Sequence, residues 1–185
     1  MRIIAGEWRS RKLTAPEGQD TRPTADRVKE ALFSILSGRV YGTRVLDLYG
    51  GSGALALEAL SRGAESAVIA DPAAKACRCI RENIAALGCG GRVKLLPMKD
   101  LAAIETLEKA GDGFDLILLD PPYRMDGSPV LERLEKQLLR EGGMIVAEHA
   151  RETPPHPAPP LVCVDQRTYG ITGVSFFTRR KEEET

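Results

Sequence analysis

The chain has 185 residues, 43% hydrophobic and 28% charged, and its 26 basic residues balance its 26 acidic ones. These values describe an ordinary soluble globular chain, long enough to bury a real core in one domain with a small appendage. They exclude a membrane span and a secretory leader, because no apolar run matches either pattern, and the cytoplasm is the expected compartment.

Four cysteines, Cys77, Cys79, Cys89 and Cys163, do not make a disulfide framework at this length and are expected as reduced, packed thiols. Cys77 and Cys79 lie two apart on a predicted helix and face different sides. His149 and His156 are too few and too badly spaced for zinc, so no metal site is expected. The charge is uneven: residues 1–44 hold nine Lys/Arg against five acids, and the remainder seventeen against twenty-one. That asymmetry marks either an edge facing a polyanion or a solvated basic face.

Residues 2–5 and 11–14 read as short strands of a hairpin joined through residues 6–10. Trp8, the only tryptophan, sits among Arg9, Arg11 and Lys12. There it either stacks on an exposed base, with the cations on phosphates, or pins the hairpin to the domain. A polar loop over 15–20 leads to Arg22-Pro23-Thr24, where Thr24 or its neighbours cap a helix over 25–36. Val28, Leu32, Ile35 and Leu36 form its apolar stripe, with Arg27, Lys29 and Glu30 elsewhere.

The first core strand spans 44–48 and runs into Asp47-Leu48-Tyr49-Gly50-Gly51-Ser52-Gly53, followed by a helix over 54–61. These glycines permit a tight turn and close approach of a ligand to the backbone, beside the free N–H groups of a helix start. A second strand over 67–70 ends in Asp71, twenty residues after Gly51, the spacing at which a carboxylate meets ribose hydroxyls in nucleotide-binding α/β folds. A helix over 73–87, a strand over 92–96 ending near Asp100, and a helix over 101–110 follow.

The fourth strand, 114–119, is a continuous apolar run of the kind buried on both sheet faces, and it stops at Asp120-Pro121-Pro122-Tyr123. Two prolines make a stiff turn that offers carbonyl oxygens and few donors. With one carboxylate and one aromatic face beside them, the corner suits a planar group bearing an amine: the ring stacks on Tyr123, and the N–H bonds point at Asp120 and the Pro121 carbonyl. A helix over 129–139 and a strand over 144–147 come next. A proline-rich extended loop over 153–160 then leads to two strands, 161–164 and 174–178, joined through 166–170 and expected to pair antiparallel. Residues 181–185 read as a frayed tail.

This order predicts an α/β fold: a doubly wound, mostly parallel seven-stranded sheet with a small N-terminal hairpin and helix extension over 1–40 and the main domain over 41–185. Ligands of such sheets bind beyond the carboxyl ends of the strands. Asp47, Gly51, Asp71, Asp100 and Asp120 all fall there.

These residues resemble the class I S-adenosylmethionine-dependent methyltransferases, which share a Rossmann-like sheet and its terminal hairpin. The resemblance implies that the loop from Asp47 through Tyr49, Gly51, Ser52 and Gly53 approaches the methionine part of S-adenosylmethionine. It implies also that Asp71 holds the ribose and that Asp100 sits beside the adenine. The Asp-Pro-Pro-Tyr corner is similar to that of enzymes methylating exocyclic amines.

A closer resemblance is to the RsmD family, guanine-N2 methyltransferases of bacterial small-subunit ribosomal RNA. It is carried by Arg2-Ile3-Ile4-Ala5-Gly6, Trp8-Arg9, Arg11-Lys12-Leu13, Arg22-Pro23-Thr24, Asp26-Arg27-Val28-Lys29-Glu30 and Phe33, and again by Tyr169-Gly170 with Thr172. Gly50 stands where relatives often have alanine, an exchange the resemblance treats as harmless. The resemblance implies methyl transfer with Asp120, Pro121, Pro122 and Tyr123 at the target amine. Arg2, Trp8, Arg9, Arg11, Lys12, Arg22, Thr24 and Arg27 would then face RNA, within an assembled small ribosomal subunit, with neither metal nor membrane involved.

Two alternatives stay open on the residues alone. Gly51-Ser52-Gly53-Ala54-Leu55-Ala56 satisfies a loose G-x-G-x-x-A pattern, which with Asp71 suits an NAD-dependent oxidoreductase. An adenine-N6 methyltransferase on DNA or RNA would use the same corner, because the corner recognises an amine and not a particular base.

Overall fold

The computed structural model describes residues 1–16, 23–122 and 126–180. In chain order these form α1 (Pro23–Ile35), β1 (Arg44–Asp47), α2 (Ala54–Ser61), β2 (Ser66–Ala70), α3 (Ala74–Leu87) and β3 (Val93–Leu96). Then come α4 (Asp100–Lys109), β4 (Phe114–Leu119), α5 (Ser128–Gln137), β5 (Leu139–Ala150), β6 (Leu161–Tyr169) and β7 (Thr172–Arg179). The seven strands form one sheet in the order β3-β2-β1-β4-β5-β7-β6. The first five are parallel, and β7 pairs antiparallel with both β5 and β6. The predicted doubly wound sheet with a closing hairpin is therefore the fold.

Alternation along the central strands divides the core in two, since successive side chains leave a strand on opposite faces. Val45, Ile69, Leu116, Leu118 and Val146 join one apolar layer with Leu57 and Leu60 of α2 and Ile80 of α3. Leu46, Val68, Ile117, Leu119, Ile145 and Ala147 join the other, with Ile104 and Leu107 of α4 and Leu131 and Leu134 of α5. The N-terminal extension adds Ile3, Leu13, Val28, Leu32, Phe33 and Leu36 to the first layer.

Several expectations need correction. The N-terminal hairpin reduces to one antiparallel bridge, Arg2 to Lys12. Its ladder stops because the N–H groups of Ile4 and Ala5 donate to the Glu58 carboxylate, at 2.8 and 3.1 Å, and not to a partner strand. Helix α1 starts at Pro23, a residue suited to a first turn, so Thr24 lies inside the helix and not at its cap. Its buried face includes Lys29 and Phe33, while Ile35 is 36% exposed. The stripe is thus rotated from the one expected, because Lys29 has a buried acidic partner (below).

Strand β6 continues to Tyr169 and leaves only Gly170 and Ile171 as the turn, with Gly170 at φ +63° as a two-residue hairpin requires. Its polar residues hid it: β6 is an edge strand, with Gln166, Arg167 and Thr168 exposed. Strand β5 is likewise longer, starting at Leu139. Cys77, Cys79 and Cys89 are buried thiols as expected, but Cys163, on β6, is exposed. The predicted tail 181–185 and most of the loop 15–20 lie outside the described residues. Among the described residues, no helix is long and apolar enough to cross a membrane.

Candidate active site

Strand β1 has β2 on one side and β4 on the other, so the winding reverses at β1/β4, where α/β sheets bind ligands beyond the strand ends. Following the alternation puts Asp47, Asp71 and Asp120 at the ends of β1, β2 and β4, and Glu148 inside the last stretch of β5, all on the same sheet face. Asp47 lies level with Ile69 and Leu118, and Leu119 with Ala147.

The glycine loop is tied across this edge. Gly50 N–H donates to the Ala70 carbonyl (2.9 Å), Gly51 N–H to Asp71 Oδ2 (2.9 Å) and Gly53 N–H to the Gly50 carbonyl (2.6 Å). Gly51 and Gly53 have φ of +56° and +78°, conformations that side chains disfavour. Gly50 is more constrained than the resemblance implies. A Cβ there would lie 2.3 Å from Ile69 Cγ2, so an alanine in this chain would force Ile69 to move. Ser52 is buried, its hydroxyl donating to Met1 Sδ (3.2 Å) and its carbonyl accepting from Asn83 Nδ2 (2.9 Å).

Asp47 is 1% exposed. Oδ2 accepts the Ala56 N–H at 3.2 Å, and Oδ1 has no partner. Burial, with the charges of Asp120 and Asp71 adding, raises its carboxyl to about 7 against the Ala56 and Tyr49 N–H groups. An unpaired acceptor in a buried acid is costly when charged, and a cationic ligand would relieve it. Asp71 is held by Gly51 N–H and Ala73 N–H (2.8 Å). Asp100 accepts the Tyr49 hydroxyl (2.7 Å) and the Leu101 N–H (2.8 Å), which ties the glycine loop to the start of α4. Burial and then Asp100 hold the Tyr49 hydroxyl far above the usual phenol range. Each carboxylate keeps lone pairs for further donors.

A stability test follows from Asp47. Its folded pKa lies above the unfolded value of about 3.9, so charging it costs stability as pH rises from about 4 to 7. Asp47→Asn removes that cost. The substitution is expected to stabilise the cofactor-free protein by about 2–3 kcal/mol more at pH 8 than at pH 5. Urea unfolding at the two pH values measures it; equal effects at both would remove the assignment.

At the corner Pro121 is buried, while Asp120 and Pro122 reach solvent. Asp120 is exposed as a residue, yet enough protein encloses its carboxyl that burial raises it to about 6. Tyr123 lies outside the described residues. Pro121 and Pro122 share an open recess of about 420 Å³ with Tyr49 of the glycine loop, Val130 and Leu131 of α5, and Ala147, Glu148 and Pro155. The two prolines of the corner and Tyr49 of the glycine loop therefore face one space. Glu148 was missed, although an acid directly after an apolar strand was the signal that found the others.

The N-terminal region carries Arg2, Arg9, Arg11, Lys12 and Arg27 on its exposed surface; Arg22 and the Thr24 side chain are outside the described set. Arg11 donates to the Ala86 carbonyl at 3.0 Å. Trp8 packs against the first apolar layer, with the Arg92 guanidinium 5.0 Å from its ring centre, and its backbone N–H donates to Ser61 Oγ at 3.0 Å. That is the pinning role, with Arg92 over the ring.

The docking residues beneath were not legible as such. Glu58, fully buried, accepts Ile4 and Ala5 N–H, pairs with Arg62 Nε at 2.7 Å and has Lys29 Nζ at 3.5 Å. Lys29 also donates to the Arg2 carbonyl (2.5 Å). Asn83 accepts Thr14 N–H (2.7 Å) and donates to the carbonyls of Thr14 and Ser52, joining the arm to the glycine loop. A polar residue on the buried face of α3 was the one sequence sign of it.

Comparison with known proteins matches residues 1–178 to a family described as Conserved hypothetical protein 95. YlbH of Bacillus subtilis is 39% identical over 97% of this chain and 100% of its own length. Ribosomal RNA small subunit methyltransferase D of Escherichia coli is 37% identical over 67% of this chain and 61% of that protein. Among solved structures, yhhF from Escherichia coli superposes with a TM-score of 0.83 at 29% identity, covering 98% of this chain and 99% of that one.

Proposed function

The chain belongs to the family described as Conserved hypothetical protein 95, the RsmD family of class I methyltransferases, and from that premise we propose that it transfers a methyl group from S-adenosylmethionine to the N2 amine of a guanine in small-subunit ribosomal RNA. The observation that carries this reading is the shared recess, with Pro121 and Pro122 of the corner on one side and Tyr49 of the glycine loop on the other. The residues fit the methyl donor. Asp47 keeps a buried, unpaired oxygen for a cationic group, and the glycine backbone permits close approach. Asp71 and Asp100 stand fixed at the next two strand ends, for ribose and adenine.

When bound, S-adenosylmethionine supplies an electrophilic methyl on a sulfonium. The chain's task is to aim a weak nucleophile at it, because the guanine N2 lone pair is delocalised into the ring. Asp120 and the Pro121 carbonyl each accept one N–H, which favours a pyramidal nitrogen with its lone pair directed at the methyl. Positioning of this kind lowers a barrier by several kcal/mol. With the donor bound, Asp120 and the Pro121 carbonyl would hold that lone pair in line with the methyl, so that the N–C bond could form as the bond to sulfur breaks. Positive charge grows on N2 beside the Asp120 carboxylate, an interaction stronger in the transition state than in the ground state. The proton then leaves N2 for Asp120, whose raised pKa makes it the better acceptor. Pro122 follows at the corner, and the role proposed for Tyr123 is to stack on a base swung out of its helix at a cost of roughly a few kcal/mol.

The basic residues of the first 40 positions would hold phosphates, giving affinity without sequence choice. Reversing Arg9 and Arg11 to glutamate is expected to weaken ribosomal RNA binding and flatten its log–log salt slope by about 2. Filter binding over a salt series checks this; an unchanged slope would leave that edge as plain surface. The oxidoreductase reading has no support from the family, and it leaves the Asp-Pro-Pro corner unexplained. Incubating small-subunit particles with labelled S-adenosylmethionine, followed by nucleoside mass analysis, tests the whole proposal. Label in N2-methylguanosine supports it. Label in N6-methyladenosine would replace guanine by adenine, and no label would refute it.

A further inference from the structure

The recess beside the corner holds an acid that the proposed transfer does not use. Among the described residues lining it, Glu148 is the one carboxylate, set against Tyr49, Pro121, Leu131 and Ala147. Strands β4 and β5 are parallel neighbours, with Leu118 opposite Val146 and Leu119 opposite Ala147. One step on, Asp120 and Glu148 leave adjacent strands on the same face, about 4.8 Å apart along the hydrogen-bonding direction. Among the described residues none donates a hydrogen bond to either carboxylate. Glu148, half-buried in the recess, and Asp120, more exposed on the neighbouring strand, are adjacent acceptors that lack a donor-rich partner.

We propose that Glu148 determines base specificity, accepting the N1–H of the target guanine while Asp120 accepts an N–H of the neighbouring N2 amine. This rests on amine methylation as proposed above and names the base by its chemistry. Guanine carries two adjacent donors, N1–H and N2–H, which match two adjacent carboxylates. In adenine and cytosine the ring nitrogen beside the amine is an acceptor, and its lone pair would face Glu148. An acceptor set against another acceptor is rejected, because the docked base displaces water from both and returns no hydrogen bond. The crowding of Glu148, Asp120 and Asp47 agrees with this: burial and the other two charges hold the Glu148 carboxyl well above its usual range, a strain that paired donors relieve.

The discriminating probe is 2,6-diaminopurine, which keeps the N2 amine but has an acceptor at N1. Small-subunit RNA carrying guanine or 2,6-diaminopurine at the mapped target position is assembled into particles and methylated by the wild type and by Glu148→Gln. The wild type is expected to favour guanine by about 100-fold in kcat/KM. Glu148→Gln, whose amide can donate to N1, is expected to lose guanine rate and gain diaminopurine rate until the ratio nears one. Cofactor affinity by calorimetry should not change. Equal wild-type rates on the two bases, or an unchanged ratio in Glu148→Gln, would overturn the role of Glu148 and leave amine methylation standing. Were the variant not to fold, the wild-type ratio alone would still decide. Wild-type transfer to neither base would remove both readings.

Discussion

Replacing Asp120 by alanine is expected to lower methyl transfer about 10²–10³-fold while leaving S-adenosylmethionine affinity within a few-fold of the wild type. The magnitude is that of deleting one group aimed at charge that develops in the transition state. On the proposed reading Asp120 acts on the amine and not on the cofactor. It acts on Asp47, at the start of the glycine loop, through its charge. The pH profile sharpens the test. Acceptance of N–H bonds requires the carboxylate, so the wild-type rate should fall as pH drops through about 6, the value to which burial raises Asp120. Because Asp47 and Glu148 titrate beside it, the apparent midpoint belongs to the cluster. Asp120→Asn should lose rate and flatten that acid limb. Single-turnover transfer and calorimetry measure the two halves. A variant with wild-type rate would end the role proposed for Asp120.

Glu58→Ala is expected to destabilise the fold by about 3–5 kcal/mol, the range for removing one partner of a buried ion pair. The substitution leaves Lys29, only 4% exposed, without its acid, and orphans the N–H groups of Ile4 and Ala5. Lys29 is already pushed below the usual lysine range by burial, against the pull of Glu58. Losing Glu58 deepens that penalty. Small domains hold roughly 5–15 kcal/mol in total, so much of the margin would go. Trp8, the only tryptophan, lies on the docked arm, so its fluorescence in a denaturant titration reports this region directly. A loss under about 1 kcal/mol would show that the arm is held by its other contacts, the packing of Ile3 and Leu13 and the bonds to Ser61 and Asn83, and not by Glu58.

Both residues bear on what the chain makes legible. Strand β4 and helix α2 have the bounds expected of them, because each is a buried apolar run closed by residues with a fixed backbone meaning: prolines after Leu119 and glycines before Ala54. Asp47, Asp71, Asp100 and Asp120 were found because the end of a parallel strand is marked locally by the change from apolar to polar. Glu148 carries the same mark, one residue past the expected end of its strand. The hairpin was misread because the acceptors for Ile4 and Ala5 belong to a side chain 54 and 53 residues away. Lys29 was placed off the apolar stripe of its helix for the same reason.

The order of apolar runs and turn residues thus determined the sheet, its winding and the edge where ligands enter, since these follow from periodicity and from the short reach of connecting chain. Which polar groups face one another at that edge, and how the N-terminal arm docks beneath it, only the tertiary structure decided. A hydrogen bond or ion pair across 50 to 70 residues leaves no periodic trace in the chain; it exists only once packing has brought its two ends within 3 Å.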